Sequence, residues 1–310
     1  MANYFSATGM VDRNAAPALL TRDFDEIWAQ RNELAGVKLG QFFNVERKDS
    51  GLTHTITSVT SQLALPHESS DTAALTYFTP APGFPKTIVL ITYRAGLRVT
   101  ETMVLADRYD KVMGMVSGGI KAAGRLDEYN RAAIFNDAFT GTAGADSLPL
   151  CDDSHPHENN EAGVWDNKGT GALTGPNLQA LRLLARKMTD PQGDPDWRTA
   201  KQVLIPEDLE EDAMVLVTSD GKPGGNLNDP NVLIKGLELV VSPYLSSAAQ
   251  YYLITEAMDF DKGLHEVVLQ DWRQADNNPI SASIVFDKEI KATKAFAFTR
   301  SKAIFGSTGV

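Results

Sequence analysis

The chain has 310 residues, 43% of them hydrophobic, and a formal net charge of −11 at pH 7. That length can bury a substantial core and fits one or two domains, while the negative charge argues against nucleic-acid binding as the main activity and leaves room for a protein that surrounds nucleic acid without gripping it. No segment approaches 18 uninterrupted apolar residues, the N-terminus lacks the basic-then-apolar order of a secretory signal, and Cys151 is the only cysteine, so a helical membrane span, a secretory route and an intrachain disulfide are not expected and the compartment reads as cytoplasmic.

Residues 1–45 open loosely. An amphipathic helix is expected over residues 22–34, with Phe24, Ile27, Trp28 and Leu34 near one face, Thr21 as N-cap, and Asp23 and Asp25 in the first turn. It reads either as a surface helix docked on its own domain or as an arm packed on a neighbour. From Phe43 to Val104 the pattern changes to strands. THTITSVTSQLAL and KTIVLITYRAGLRVTETMV are rich in Thr, Val and Ile and partly alternate, and a breaker-rich segment containing Pro66, Pro80, Pro82, Gly83 and Pro85 separates them. This predicts a long twisted hairpin with a wide tip. Such a hairpin has little core of its own, so it is either an ordinary edge hairpin or an element covered by something outside the monomer.

The organising stretch runs from Leu105 to Phe139. Leu105, Tyr109, Val112, Val116, Ile120, Ala123, Leu126, Tyr129 and Ala133 recur at helical steps, while Asp107, Asp110, Lys111, Lys121, Arg125, Asp127, Glu128 and Arg131 are expected to face water or a partner. A helix through all of it spans about 50 Å. A bend is expected at Ser117-Gly118-Gly119, since adjacent Ser and Gly residues are recurrent kink sites.

A long loop follows, and loops of that length in a compact chain usually carry function or move. Its centre is Cys151-Asp152-Asp153-Ser154-His155-Pro156-His157-Glu158. The two histidines could supply nitrogen and the carboxylates oxygen to a metal. H-P-H in a loop is nevertheless not an H-E-x-x-H pair on a helix face, and His265 is distant in sequence. No base is oriented towards Cys151 as a nucleophile. The loop therefore reads as solvated and hydrogen-bonded, and no catalytic, cofactor-binding or metal residue is assigned.

Beyond it, Thr174-Gly175-Pro176 opens a helix with Leu178, Leu181, Leu184, Ala185 and Met188 as its core stripe, and Asp190-Pro191-Gln192-Gly193 ends it. A buried strand, Gln202 to Ile205, meets Pro206. The acidic run PEDLEEDAM then begins a helix whose dipole favours those charges. LIKGLELVVSPYL, QYYLITEAM, HEVVLQDW and parts of residues 280–310 read as strands. Phosphate-loop, nucleophile-elbow and dinucleotide signatures are missing, Gly221–Gly225 lies in a proline-bearing loop, and no solenoid repeat is found. The partial alternation of elements predicts an α+β architecture.

The order of elements resembles the major capsid proteins of tailed bacteriophages, with the Hong Kong 97 type fold, and among them the Mu-like major head subunit group. Ala132-Ala133-Ile134-Phe135-Asn136-Asp137-Ala138-Phe139 is similar to the family's N-x-x-F helix end, followed by Leu148-Pro149-Leu150 and His155-Pro156. Gln202-Val203-Leu204-Ile205-Pro206, with Leu209, Ala213 and Ser219, resembles the strand-Pro-Pro-helix segment, although Glu207 replaces the second proline. Asn226-Leu227-Asn228 leads to Leu237–Leu245 and to Tyr251-Tyr252-Leu253, with Tyr251 where tryptophan is commoner.

The resemblance implies an N-terminal arm at residues 1–45, an extended hairpin loop at 46–104, a spine helix of a peripheral domain at 105–145, an axial domain at 146–255 and peripheral strands at 256–310. It implies a shell subunit, not an enzyme, that assembles into pentamers and hexamers around double-stranded DNA without specific binding and without a membrane. Its place is the virion, assembled in the host cytoplasm, with scaffolding, portal and decoration proteins as further partners. The position of Met1 near the arm implies a separate scaffolding protein or none. Two other readings are an encapsulin-like compartment and a Zn²⁺- or Mn²⁺-dependent hydrolase using Asp152, Asp153, His155 and His157.

Overall fold

A computed structural model of the chain describes residues 38–59, 82–100, 102, 109–141, 143–157, 163–189, 195–221, 229–231, 236–259, 262–276 and 284–310. The helix expected over residues 22–34 lies outside these, as do the hairpin tip and residues 105–108.

Two sheets meet across one long helix. In the first, β1 (Phe43–Arg47) runs parallel to β11 (Leu264–Asp276), which pairs antiparallel with β12 (Ile284–Phe298), and β12 pairs antiparallel with β4 (Ile91–Thr100). The second sheet has the order β7-β13-β10-β8-β9, from β7 (Lys168–Gly169), β13 (Ile304–Ser307), β10 (Tyr251–Thr255), β8 (Ala200–Ile205) and β9 (Glu238–Val241). Helix α2 (Gly175–Arg186) and helix α3 (Glu210–Thr218) cover one of its faces. The helix expected to open at Thr174-Gly175-Pro176 does so, with Pro176 in the first turn, and Thr174 caps it, its hydroxyl accepting from the Asn177 amide at 3.4 Å. The mixture of helices with parallel and antiparallel pairing is the α+β architecture expected from the sequence.

Alternation explains why the central strands are shared between cores. Along β8 and β10, Val203, Ile205, Tyr251 and Leu253 pack under α2 and α3, whereas Leu204, Tyr252 and Ile254 face the core at the end of the long helix. Period-2 burial on both faces turns a strand into a wall between two cores.

The spine helix, α1, spans Tyr109–Asn136, 28 residues, or about 42 Å of rise. It runs through Ser117-Gly118-Gly119 without interruption. It also stops three residues short of Phe139. Asn136 ends it by donating from Nδ2 to the Tyr244 carbonyl (3.0 Å) and accepting at Oδ1 from the Ser246 amide (2.8 Å).

The expected facing of α1 needs correction. Asp127, Glu128 and Arg131, assigned to water or a partner, are buried, and Tyr129, assigned to the apolar stripe, is 58% exposed. The buried line keeps Ile120 and Ala123 of the expected stripe and then passes through Asp127, Arg131, Ile134 and Phe135. It keeps helical spacing, but its middle is ionic, so a search for apolar residues finds a neighbouring line. Arg131 Nη1 donates to Glu128 Oε1 and Nη2 to Glu266 Oε2, both at 2.6 Å. Lys294 Nζ reaches Asp127 Oδ2 at 2.9 Å, Asp271 Oδ1 at 2.9 Å and Glu266 Oε1 at 3.3 Å. Neutral donors complete the cluster: Trp272 Nε1 donates to Asp127 (2.8 Å), and the Lys38 and Leu39 amides donate to Glu128 Oε2 (3.1 and 3.0 Å).

The cluster holds four carboxylates and two cations. Burial alone would weaken both cations, but the surrounding carboxylates outweigh it and hold Arg131 and Lys294 more firmly protonated than usual. Burial pushes Asp127 up despite Lys294 beside it. Breaking such a pair leaves charge stranded away from water. Arg131→Met is expected to destabilise the chain by about 3–5 kcal/mol, and Arg125→Ala, on the exposed side of the same helix, by less than about 0.5 kcal/mol. Urea denaturation of the two variants checks both values, and equal losses would contradict the assignment.

Candidate functional site

The hairpin is shorter than its sequence suggests, because the second expected strand is divided at Leu90. β2 (Thr53–Val59) pairs with β3 (Pro82–Val89), while the residues beyond Leu90 enter the first sheet as β4. Leu90 itself is buried with Ile88 against Val267, Ala295 and Ala297. The chain changes sheets there because both apolar side chains dock on the same side. Ile56 also packs against this cluster, so among the described residues the lower part of the ribbon has this support. Thr53, Thr55, Thr57, Pro85, Thr87 and Val89 form an exposed face, and an isolated two-stranded ribbon is marginal in water.

A charged clasp fixes the direction in which the ribbon leaves the body. Glu46 on β1 accepts from His54 Nε2 on β2 at 2.9 Å and from His265 Nδ1 on β11 at 2.7 Å. Lys86 Nζ on β3 donates to the Ala143 carbonyl at 2.7 Å. Burial raises the affinity of Glu46 for a proton, but the two imidazole hydrogen bonds outweigh it and hold the carboxyl below its usual 4.5. A depressed carboxyl contributes stability above pH 4.5 that is lost as the pH falls through the lower folded-state value. The stability difference between wild type and Glu46→Gln is therefore expected to be full near neutrality and to shrink below pH 4.5. Urea midpoints measured across that range test it, and a pH-independent difference would refute it.

The loop after the spine is held by structural contacts. His155 is fully buried, stacked on Trp165 with ring centroids 4.4 Å apart. Its Nδ1 must donate to Asp146 Oδ2 at 2.6 Å, leaving Nε2 to accept from the Ser301 hydroxyl at 3.4 Å. Asp152 and Asp153 both accept from Ser154. His157 is buried, and Glu158 lies outside the described residues. Among the described residues no group of three or more His, Cys, Asp or Glu side chains has a metal-holding arrangement. The short strands β5 (His155–Pro156) and β6 (Val164–Trp165) pair here, which folds the loop back on itself.

Asn167, which the sequence reading passed over, organises this region. It is completely buried, donates to the Leu150 and Ile304 carbonyls at 2.8 and 2.9 Å, and accepts from the Asp152 amide at 2.9 Å. Its only sequence signal is an Asn in a turn-rich stretch. Cys151 is sealed beneath it against Gly306, where an added Cβ would lie 2.6 Å from the sulfur. Burial pushes its thiol up, the reverse of an activated nucleophile. Thiol-reactive reagents are expected to leave Cys151 unmodified in the native protein and to label it in urea, as mass spectrometry would show. Labelling of the folded chain would disprove the burial.

The motifs recognised separately in the sequence converge on Tyr252. Phe135 meets its ring edge-on at 5.2 Å, Phe139 stacks on it at 6.1 Å, and its hydroxyl donates to the Phe135 carbonyl at 2.5 Å. Asn136 ties the helix end to Tyr244 and Ser246, and Leu204 pairs with Tyr252 across the second sheet. The family model for phage capsid proteins matches residues 83–305, which contain all of this machinery. The chain belongs to the phage capsid protein family. It is a structural subunit of a capsid shell.

Solved structures share the fold at low identity. The mature capsid of bacteriophage PhiM1 aligns with a TM-score of 0.56 at 13% identity, over 89% of this chain and 88% of that one. Mycobacterium phage Patience aligns with a TM-score of 0.54 at 12% identity, over 97% and 89%. The virus-like particle from Pyrococcus furiosus aligns with a TM-score of 0.50 at 11% identity, over 91% and 96%. No curated protein gives a significant sequence match. The shared architecture is the Hong Kong 97 type capsid fold. Among the described residues, the ribbon and the outer faces of the second sheet's helices carry exposed apolar side chains.

Proposed function

We propose that this capsid protein is the major head subunit of a tailed phage, assembling into pentamers and hexamers that close an icosahedral shell around double-stranded DNA. The observation that carries the reading is the ribbon of β2 and β3, anchored at its base by Glu46 and Lys86 and exposed along one face. A monomer gains little from holding such a ribbon away from its body, whereas a neighbouring subunit would cover it. The ribbon is the extended loop, α1 with the first sheet the peripheral domain, and the second sheet with α2 and α3 the axial domain. The order of the sequence motifs favours the Mu-like group.

The net charge of −11 suits a container whose inner surface must release DNA. It disfavours specific DNA binding and leaves scaffolding, portal and decoration proteins as the partners to seek, in the cytoplasm of the host. The compartment alternative predicts protein cargo inside the shell. The hydrolase alternative has little support, because Asp152, Asp153 and His155 are engaged with one another's loop.

Negative-stain electron microscopy of the chain expressed alone at high concentration, and again with the neighbouring head-assembly proteins of its source, tests the proposal. Rings, tubes or closed shells are the expected result. A chain that stays monomeric under both conditions would overturn it.

A further inference from the structure

The second sheet presents two helices on one face but at opposite edges. Helix α2 lies against β7, β13 and β10, and helix α3 lies against β9, the far edge strand. Both bury their inner faces in one core, with Leu178, Leu181 and Ala185 from α2 and Ala213, Leu216 and Val217 from α3. Among the described residues their outer faces are left exposed, and each combines apolar side chains with a prevailing charge, basic at α2, where Asp196 beside Trp197 is paired with Arg198 at 2.8 Å, and acidic at α3.

On α2, Leu183 is 50% exposed, and Trp197 beside it is 68% exposed, held there by the Arg198 amide donating to the Ala185 carbonyl at 3.1 Å. Arg186 and Lys187 are exposed at the same end. Arg182 stands one turn earlier; burial first, and then the like charge of Arg186, makes its proton easier to lose. Helix α2 itself contains no carboxylate. At the other edge, Met214 and Val215 are about half exposed, and Glu207, Asp208, Glu210, Glu211 and Asp212 crowd the start of α3. A groove of about 660 Å³ opens there, between Glu207, Glu210 and Met214 on one side and the edge strand at Leu239 and Val241 on the other. Lys38, the cation in that groove, is turned onto the Val241 carbonyl at 3.2 Å.

Two complementary surfaces at opposite edges of one sheet cannot meet within a subunit. They can meet between copies, and a head-to-tail contact of this kind closes into a ring when its rotation is right. We infer that the Leu183, Arg186, Lys187 and Trp197 surface of one subunit docks in the acidic groove beside α3 and β9 of the next, and that this contact sets the direction of the capsomer ring. The inference rests on the shell reading above. Exposed apolar residues supply the buried centre, and the opposed charges supply register and exclude the reversed orientation.

Charge reversal tests it with full-length chains. Glu207→Lys with Glu210→Lys turns the charged lining of the groove, Lys38, Glu207, Glu210 and Glu238, from net negative to net positive, so that groove and α2 surface are both basic, and Arg186→Glu with Lys187→Glu makes both acidic. Each variant alone is expected to need at least ~10-fold more protein to form rings by sedimentation velocity and electron microscopy. Circular dichroism serves as the control that each still folds. A single chain carrying all four substitutions should recover assembly, since the charges are again opposed.

Mixing the two variants gives a sharper result. Only alternating rings satisfy every contact, so the mixture is expected to yield six-membered rings and tubes but no five-membered rings or closed shells. Wild-type-like assembly by either variant, or a four-fold variant no better than its parents, would overturn the pairing while leaving the shell reading intact. Failure of the wild-type chain to form rings in any condition would overturn the shell reading itself.

Discussion

The placement of the long helix on the first sheet depends on a buried ionic contact. Arg131 and Lys294 lie between Glu128, Glu266, Asp127 and Asp271, where α1 crosses β11 and β12. An apolar stripe would let the helix slide or rotate by a residue at modest cost. A cluster in which each cation has named carboxylate partners permits one register, because any other strands charge away from water. The same cluster receives the start of the described chain, since the Lys38 and Leu39 amides donate to Glu128. Helix, sheet and the chain leading into β1 are thus positioned by one set of contacts. A shell subunit that must present several surfaces at fixed angles gains from such a specific joint.

A second joint connects the two sheets. Tyr252 faces the end of α1, where Phe135 and Phe139 pack on its ring, and Asn167 holds the loop after the helix against β13. Between them lies the loop whose histidines and aspartates suggested metal chemistry. His155, Asp152 and Asp153 are engaged by a hydroxyl, a neighbouring carboxylate and an aromatic face, so they help fix the path of the chain from one sheet to the other. His155 shows the distinction well. A buried imidazole with a carboxylate on one nitrogen and a hydroxyl on the other can be a catalytic arrangement or a structural one, and here the stacked Trp165 closes the approach.

What these joints leave exposed is as informative as what they bury. Among the described residues, the ribbon of β2 and β3 shows a row of threonines and Val89 to solvent, and the second sheet carries exposed helix faces at both edges. A rigid body with unfinished edges is the form expected of a subunit whose remaining surface is completed by copies of itself.

The amino-acid sequence by itself determined the α+β class, the long helix, the helix opening at Thr174-Gly175-Pro176, the strand from Gln202 to Ile205 and the ordered motifs that mark a capsid subunit. These signals are local: apolar periodicity, capping residues and proline placement act over a few residues and survive without a partner. Tertiary structure alone decided which side of α1 turns inward, because Asp127, Glu128 and Arg131 read as solvent-facing until Glu266, Lys294 and Trp272 arrive from more than a hundred residues away. It also decided where the hairpin ends, since Leu90 breaks an otherwise continuous strand pattern only by docking on β11 and β12. The role of Asn167 and the inertness of Cys151 and His155 follow the same rule. Each depends on what surrounds the side chain, and burial by distant segments leaves no trace in the residues next to it.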